Sequence, residues 1–205
     1  MSATMELPSF RVGPVELDHA VVRVEPMRPE HAPDLWVIGR DAATWRWMPT
    51  PVFASPVDAA NWVARALDDQ LHGRRVPFVI RRRSDGMIVG STSFLDIRAP
   101  ERALEIGWTW LAPAACGSAV NTATKLLLLT HAFDTLGAGR VQLKTDARNH
   151  VSQAAIERLG AKREGVLRKH MRLHDGFVRD TVFYSILPEE WPAIKGGLTE
   201  RLARG

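Results

Sequence analysis

The apolar positions of this chain repeat with two different periods, and the switches between them lay out a mixed α/β fold. Val21-Val22-Arg23-Val24 reads as a first strand, and Arg28-Pro29-Glu30 opens a helix over residues 30–40 with Leu35 and Ile38 turned inward. Residues 41–54 hold Thr44-Trp45-Arg46-Trp47-Met48-Pro49-Thr50-Pro51, two tryptophans beside two prolines, and read as a loop. Ser55-Pro56-Val57-Asp58 carries the marks of a helix start: a serine to cap, a proline at the first helical position, an acid at the third. Ala60, Val63, Ala64, Leu67 and Leu71 follow at helical spacing, and Gly73 ends the run. The period then drops to two. Val76 to Arg82 and Met87 to Ile97 are joined by Ser84-Asp85-Gly86, a hairpin signal, and after a turn over 98–102 a third strand covers 103–111.

Beyond this antiparallel meander the pattern changes. A small-residue loop, Pro113-Ala114-Ala115-Cys116-Gly117-Ser118-Ala119, runs directly into a long helix over 119–136, with Val120, Leu126, Leu127, Leu129, Ala132 and Phe133 apolar and Gly137 as the stop. A strand over 140–144, a helix over 150–159 between Asn149 and Gly160, strands over 163–172 and 178–187 joined by His174-Asp175-Gly176, and a terminal helix over 188–202 complete the order. The central strand–loop–helix–strand is a crossover unit, so its two strands should be parallel. The expected fold class is α/β with a mixed (α+β) sheet of about seven strands and flanking helices. One domain should span 21–190, with an N-terminal arm over 1–20 and a C-terminal helix or tail over 191–205.

Composition narrows the function classes. The 205 residues are 45% hydrophobic and 24% charged, enough for a self-sufficient core without disulfides or metal. The longest apolar run, Leu126 to Leu129, is too short to cross a bilayer, and Met1 to Arg11 has no basic stretch followed by an apolar segment, so neither membrane association nor a signal peptide is expected. The single cysteine, Cys116, cannot close an internal disulfide, and a cytoplasmic location is the expectation. Lys and Arg total 27 against 23 acids, a net charge of +4. Arg81-Arg82-Arg83 is the dense basic run and reads as a solvated strand end; without a basic stripe and interleaved stacking aromatics, no nucleic-acid partner is expected. A modest positive balance suits an anionic cofactor.

The loop at 116–119 has the chemistry for one. A helix start leaves backbone N–H groups unpaired at the positive end of the helix dipole, and small residues let phosphate oxygens approach. Cys116-Gly117-Ser118-Ala119 meets that requirement, but it is neither a Walker loop, since no Gly-Lys-Ser/Thr follows, nor a dinucleotide fingerprint, since it has one glycine. Alone it also fits a plain strand-to-helix connection.

The larger pattern is more specific. Glu105-Ile106-Gly107-Trp108 precedes a Pro-x-x-x-Gly-x-Ala loop and a long helix. A strand ending in Asp146-x-x-Asn149 leads to Ser152, then Leu159-Gly160-Ala161-x-x-Glu164-Gly165, and Arg179-Asp180-x-x-x-Tyr184-Ser185 follows. Over residues 21–190 this resembles the GNAT N-acetyltransferases of the RimJ/RimL type, which acetylate protein N-termini and small amines. The resemblance implies the GNAT acyl-CoA N-acyltransferase fold, acetyl-CoA (coenzyme A) as co-substrate with no metal, and a small amine or protein N-terminus as acceptor, with a homodimer compatible with the family. It implies a gap between the strands on either side of the long helix, holding the pantetheine arm against Trp110 and Leu111. The pyrophosphate would rest on Cys116, Gly117, Ser118, Ala119, Val120 and Asn121, and Asn149 and Ser152 would complete the site. The usual loop reads Gln/Arg-x-x-Gly-x-Gly/Ala; here position 114 is alanine, while Gly117 and Ala119 match. Ala123 stands where related sequences often carry an acid. These departures motivate a second reading, a catalytically weak acyl-CoA-binding or regulatory module.

Direct acetyl transfer needs a base for the amine, a polarised carbonyl and a proton for the thiolate. The resemblance points to backbone N–H near Trp110 or Leu111 for the carbonyl and to Ser152 as proton donor, although Ser152 also fits a capping role behind Asn149. Glu105 is the candidate base, with Asp96 and Asp41 as rivals; strand alternation puts Glu105, Gly107, Thr109 and Leu111 on one face. An ion-paired strand carboxylate is the competing reading of Glu105. Trp45 and Trp47 are candidates for the acceptor pocket or for core packing of the long loop. The histidines show no ligand spacing, so no metal is expected.

Overall fold

A computed structural model describes residues 10–204. The capping signals work as their sequences suggest. In helix α3 (Pro56–Leu71), Ser55 Oγ accepts from Asp58 N at 3.4 Å and Asp58 Oδ2 accepts from Ser55 N at 2.8 Å, a reciprocal box that fixes the first turn. Helix α5 (His150–Leu159) starts where Asn149 Oδ1 accepts from Ser152 N at 3.0 Å, and it stops at Gly160, whose φ of 99° closes the C-terminus. The remaining helices are α1 (Ala32–Ile38), α2 (Ala42–Trp45), α4 (Ala119–Thr130) and α6 (Trp191–Arg204). A π-turn, His131–Thr135, extends α4. Two expectations change here. Residues 41–54 are not wholly loop, because Asp41 caps the short α2, and the terminal helix begins at Trp191 rather than 188.

One mixed sheet holds eight strands: β1 (Leu17–Asp18), β2 (Val22–Pro26), β3 (Arg75–Arg82), β4 (Ile88–Arg98), β5 (Ala103–Leu111), β6 (Arg140–Asp146), β7 (Lys162–Arg172) and β8 (Val178–Ile186). Their spatial order is β1-β2-β3-β4-β5-β6-β8-β7, and β5 with β6 is the parallel pair. The additional strand is β1, a two-residue pairing of Leu17 with Val24 and Asp18 with Arg23, too short to show any period. It lies in the expected N-terminal arm, where Phe10 is also buried; residues 1–9 of that arm lie outside the described residues.

Both sheet faces are covered. One face packs Phe78, Phe94, Leu104 and Ile106 under α4 and α6, with Leu128, Leu129 and Leu198 closing the layer. The other packs Val79, Ile88 and Trp110 under α1 and α3, with Leu35, Trp62 and Trp45. Apolar burial of this kind, worth roughly 25 cal/mol per Å² removed from water, holds the layers together.

Two irregularities of β5 shape everything that follows. Its pairing with β6 covers Ala103 to Glu105 against Arg140 to Gln142 and then ends, so residues 106–111 present an unpaired edge toward β6. Its register against β4 also slips: Gly107 faces Ser93, but Trp110 faces Ser91, so β5 carries one extra residue there. Trp108, inside that bulge, has a φ of 49°, a left-handed conformation that a tryptophan rarely adopts.

Candidate active site

Where β5 and β6 separate, a cleft of about 660 Å³ opens through the sheet. Gly107 to Leu111 form one wall, and Asn149, Ser152 and Ala155 of the α5 segment form another. Asn121 and Lys125 reach it from α4, while Asp41, Trp47 and Arg179 line it from the α2 segment and β8. The size and the mixture of apolar wall with a few polar groups suit a small-molecule site.

The tip of α4 borders this cleft. Gly117 has a φ of +73°, and a Cβ there would meet no atom within 4 Å, so the glycine answers to the backbone turn rather than to crowding. Ser118 Oγ donates to Ala115 O at 2.7 Å and accepts from Val120 N at 3.3 Å, which fixes the helix entry. Cys116 is exposed, lines the cleft, and donates its thiol to Ala112 O at 3.6 Å. Asn121 lines the cleft, whereas the Val120 side chain is buried in the core, so Gly117, Ser118, Ala119 and Val120 can offer backbone amides rather than side chains. An open tip with amides and small residues fits a phosphate group. Ala123 is fully buried with Val22 and Ile80, away from the cleft, so its difference from related sequences is a matter of core packing.

The expected face of β5 is corrected by the bulge. Glu105 and Gly107 keep to the α1/α3 face, and Trp110 joins them, because their partners on β4 are Leu95, Ser93 and Ser91. Thr109 turns to the α4 face, where its Oγ1 lies 2.8 Å from Thr92 Oγ1. Leu111 lines the cleft, while the Trp110 side chain is buried among Trp45, Phe53 and Trp62, so Trp110 offers the cleft its backbone. Glu105 is 2% exposed; its Oε2 accepts from Lys144 Nζ at 2.7 Å and from Gln142 Nε2 at 3.0 Å. Its Oε1 points toward Gly107, where a Cβ would approach to 2.7 Å. Glu105 is thus both an ion-paired carboxylate and a wall of the cleft.

Ser152 lines the cleft and receives the Asn149 cap at its backbone N–H, so its hydroxyl stays available. The rival carboxylate Asp41 stands at the cleft with Oδ1 accepting from Ala43 N at 2.8 Å; Asp96 does not line it. The tryptophan pair divides. Trp45 is 1% exposed, donates its indole N–H to Gly39 O at 2.7 Å and packs 4.4 Å from Phe53, so the expected acceptor-pocket role is corrected to core packing. Trp47 stands at the cleft, held by Arg148 at 5.1 Å from its ring and by Arg179 Nη1, which donates to its carbonyl at 3.1 Å. Arg148 in turn pairs with the fully buried Asp146 at 2.7 Å. Burial raises the Asp146 carboxyl, but the hydrogen bonds and charge of Arg148 together with the charge of Arg179 outweigh it and leave a net downward shift.

Among the cleft residues that reading the sequence missed are Lys125, Arg179 and Trp108. Lys125 is 5% exposed on α4, and burial pulls its amine down to about 7. Its Nζ donates to Thr109 Oγ1 at 2.8 Å. Arg179 is 6% exposed with burial lowering its guanidinium, and Trp108 stacks against the buried Arg75 at 4.8 Å. The signal for Lys125 was there: a lone charge inside the apolar stripe of α4, four residues after Asn121. Nothing in the sequence marks the bulge.

Comparison with known proteins defines the class. The acetyltransferase (GNAT) domain family matches residues 22–162. The chain belongs to this acetyltransferase family and has the GNAT fold. A Bacillus subtilis relative named "Putative ribosomal N-acetyltransferase YdaF" is 34% identical over 111 residues, 54% of this chain and 60% of the relative; the match thus spans under two thirds of that protein. The crystal structure of a "putative acetyltransferase" from T. thermophilus superposes with a TM-score of 0.85 at 38% identity, covering 92% of this chain and 97% of that one. Mycobacterium smegmatis RimJ, solved in complex with CoA-disulfide, superposes with a TM-score of 0.77 over 92% of this chain and 93% of that one; at 24% identity the likeness speaks for the fold.

Proposed function

We propose that this acetyltransferase moves the acetyl group of acetyl-CoA to a primary amine, a protein N-terminus or a small amine, by direct attack within a ternary complex. The observation that carries this reading is the separation of β5 from β6 beyond Glu105, directly beside the open tip of α4. A long thiol carrier matches that slot at both ends. Its phosphates suit the amides at Gly117 to Asn121, and its amide-bearing arm can pair with the free edge of residues 106–111 as an added strand would.

The residues then divide the chemistry. The acceptor enters past Asp41 and Trp47, toward Glu105. Glu105 takes the amine's proton, directly or through water, and the nitrogen lone pair forms a C–N bond at the thioester carbon. A backbone N–H near Trp110 or Leu111 stabilises the oxyanion. The C–S bond breaks, and the thiolate takes a proton from the Ser152 hydroxyl, which is replenished from solvent. The ribosomal N-acetyltransferase name of the Bacillus relative supports a protein amine as acceptor.

The test is thiol release from acetyl-CoA against a panel of peptide N-termini and small amines, with mass spectrometry of the products. Acetylated product and a stoichiometric thiol are expected. Cofactor binding without turnover on any amine would replace this reading with the binding-module alternative. A Glu105→Gln enzyme with an unchanged pH–rate profile would remove Glu105 as the base.

A further inference from the structure

Lys125 has no part in the reaction as outlined, yet it is the most unusual charge of the cleft. Its amine is buried, no carboxylate lies within ion-pair distance among the described residues, and its hydrogen-bond partner there is the Thr109 hydroxyl at 2.8 Å. Thr109 Oγ1 also lies 2.8 Å from Thr92 Oγ1, with either hydroxyl able to donate, so the Thr92–Thr109 pair holds the acceptor of one Lys125 donor in place. A lysine carries up to three donors, and leaving buried donors unmatched is costly. Folding has nevertheless placed this one at the wall of an open cleft. Its position is also regular: Asn121 and Lys125 line the cleft from the same face of α4, one turn apart, and Lys125 lies about 9 Å along the axis from the first helical residue. That is a step inward from the phosphate end, where an acyl carrier has an amide-bearing arm and no phosphate.

We propose that Lys125 is a carrier-binding residue, whose Nζ, anchored by Thr109, donates a hydrogen bond to an amide carbonyl of the pantetheine arm. This rests on the acetyl-CoA reading of the cleft and names a contact within it. The bound arm supplies the amine with an acceptor beyond Thr109.

Calorimetric titration with two probes tests this: coenzyme A, and its nucleotide half, 3′-phospho-ADP, which has no arm. Lys125→Met should weaken coenzyme A binding about tenfold and raise KM for acetyl-CoA to match, while the affinity for 3′-phospho-ADP and the KM for the amine stay at wild-type values. Thr109→Val, which keeps the amine but removes its anchor, should weaken coenzyme A binding about threefold, again sparing the nucleotide half; this variant decides the matter if Lys125→Met does not fold. Equal losses for both probes would mean a general structural role, and unchanged coenzyme A affinity would mean no contact; either overturns the proposal. If folded wild-type protein binds no coenzyme A, the reading of the cleft fails first, and this inference with it.

Discussion

Two buried charges face each other across the cleft, and they are built in opposite ways. On the α1/α3 face, Glu105 is 2% exposed and saturated on one oxygen by Lys144 and Gln142. On the α4 face, Lys125 is 5% exposed, with the neutral Thr109 hydroxyl as its hydrogen-bond partner and Glu105 acting on it only through space. A paired charge recovers part of its lost hydration from its partner; an unpaired one recovers little and shifts toward its neutral form instead. The Glu105–Lys144 pair therefore fastens β5 to β6 at the point where they part, while the same carboxylate faces the cleft as the proposed base; Lys125 is a charge held at a cost. The difference separates a charge satisfied within the fold from one the fold leaves to be satisfied at the cleft.

Breaking the clasp should have the largest effect. Lys144→Met leaves the Glu105 carboxylate buried beside Gln142 alone, and an uncompensated buried charge costs about 3–5 kcal/mol. Chemical denaturation should show that loss, and the Glu105→Gln/Lys144→Met double variant should recover more than half of it. A single variant within about 0.5 kcal/mol of wild type would show that water already solvates the carboxylate.

The opposite outcome is expected on the other face. The Lys125 amine titrates at about 7 in the folded protein against 10.5 in its ordinary state. Between those values the unfolded chain holds more protons than the folded one, so stability rises with pH across that window, and the penalty is fully present below about 7. Lys125→Met removes the penalty and the Thr109 bond together. It should stabilise the protein by about 3 kcal/mol at pH 6, with the gain shrinking as pH climbs toward 10. Thermal denaturation at a series of pH values reads this directly. A destabilised variant with a flat pH dependence would mean that the amine is solvated and not a held charge.

The comparison also explains which parts were legible in the sequence. Caps, turns and periods are local, so α3 and α5, with the hairpin signal at Asp85-Gly86, could be read from neighbouring residues. The parallel crossover followed from a strand, a loop of small residues and a helix in succession. The extra residue in β5 was not legible, because nothing at Gly107-Trp108-Thr109 announces a bulge; it is set by the register against β4. Once inserted, it sends Thr109 to one face and leaves Glu105 on the other, and strand alternation read from the sequence cannot recover that division. Trp45 and Trp47 were indistinguishable for a similar reason. Two residues apart on a short helix and its exit, one points into the core and the other to the cleft, and the division is set by the distant partners Phe53, Trp62 and Trp110 that enclose Trp45.

At the cleft itself a smaller effect is expected from Ser152. Its backbone N–H serves the Asn149 cap whatever its side chain is, so Ser152→Ala should fold normally and bind coenzyme A as wild type does. Loss of a proton donor that solvent can partly replace should lower kcat about tenfold. Unchanged kcat would leave Ser152 as a helix residue alone.

The smallest effect is expected from a third buried charge, which serves as a control because it lies away from the cleft. Glu25 is 5% exposed on β2, and Arg81 donates to its two oxygens at 2.7 and 3.1 Å. The Arg81 hydrogen bond is the main cause of a downward shift from its ordinary 4.5, which burial opposes. A depressed carboxyl contributes stability that is fully present above about 4.5 and is lost as pH falls through the folded value. Glu25→Gln should therefore cost about 1 kcal/mol at pH 7, with the difference from wild type narrowing as the solution becomes acidic. Coenzyme A affinity should not move. If it does, paired charges far from the cleft reach the site as well, and the contrast between Glu105 and Lys125 no longer distinguishes a charge satisfied within the fold from one left for a ligand.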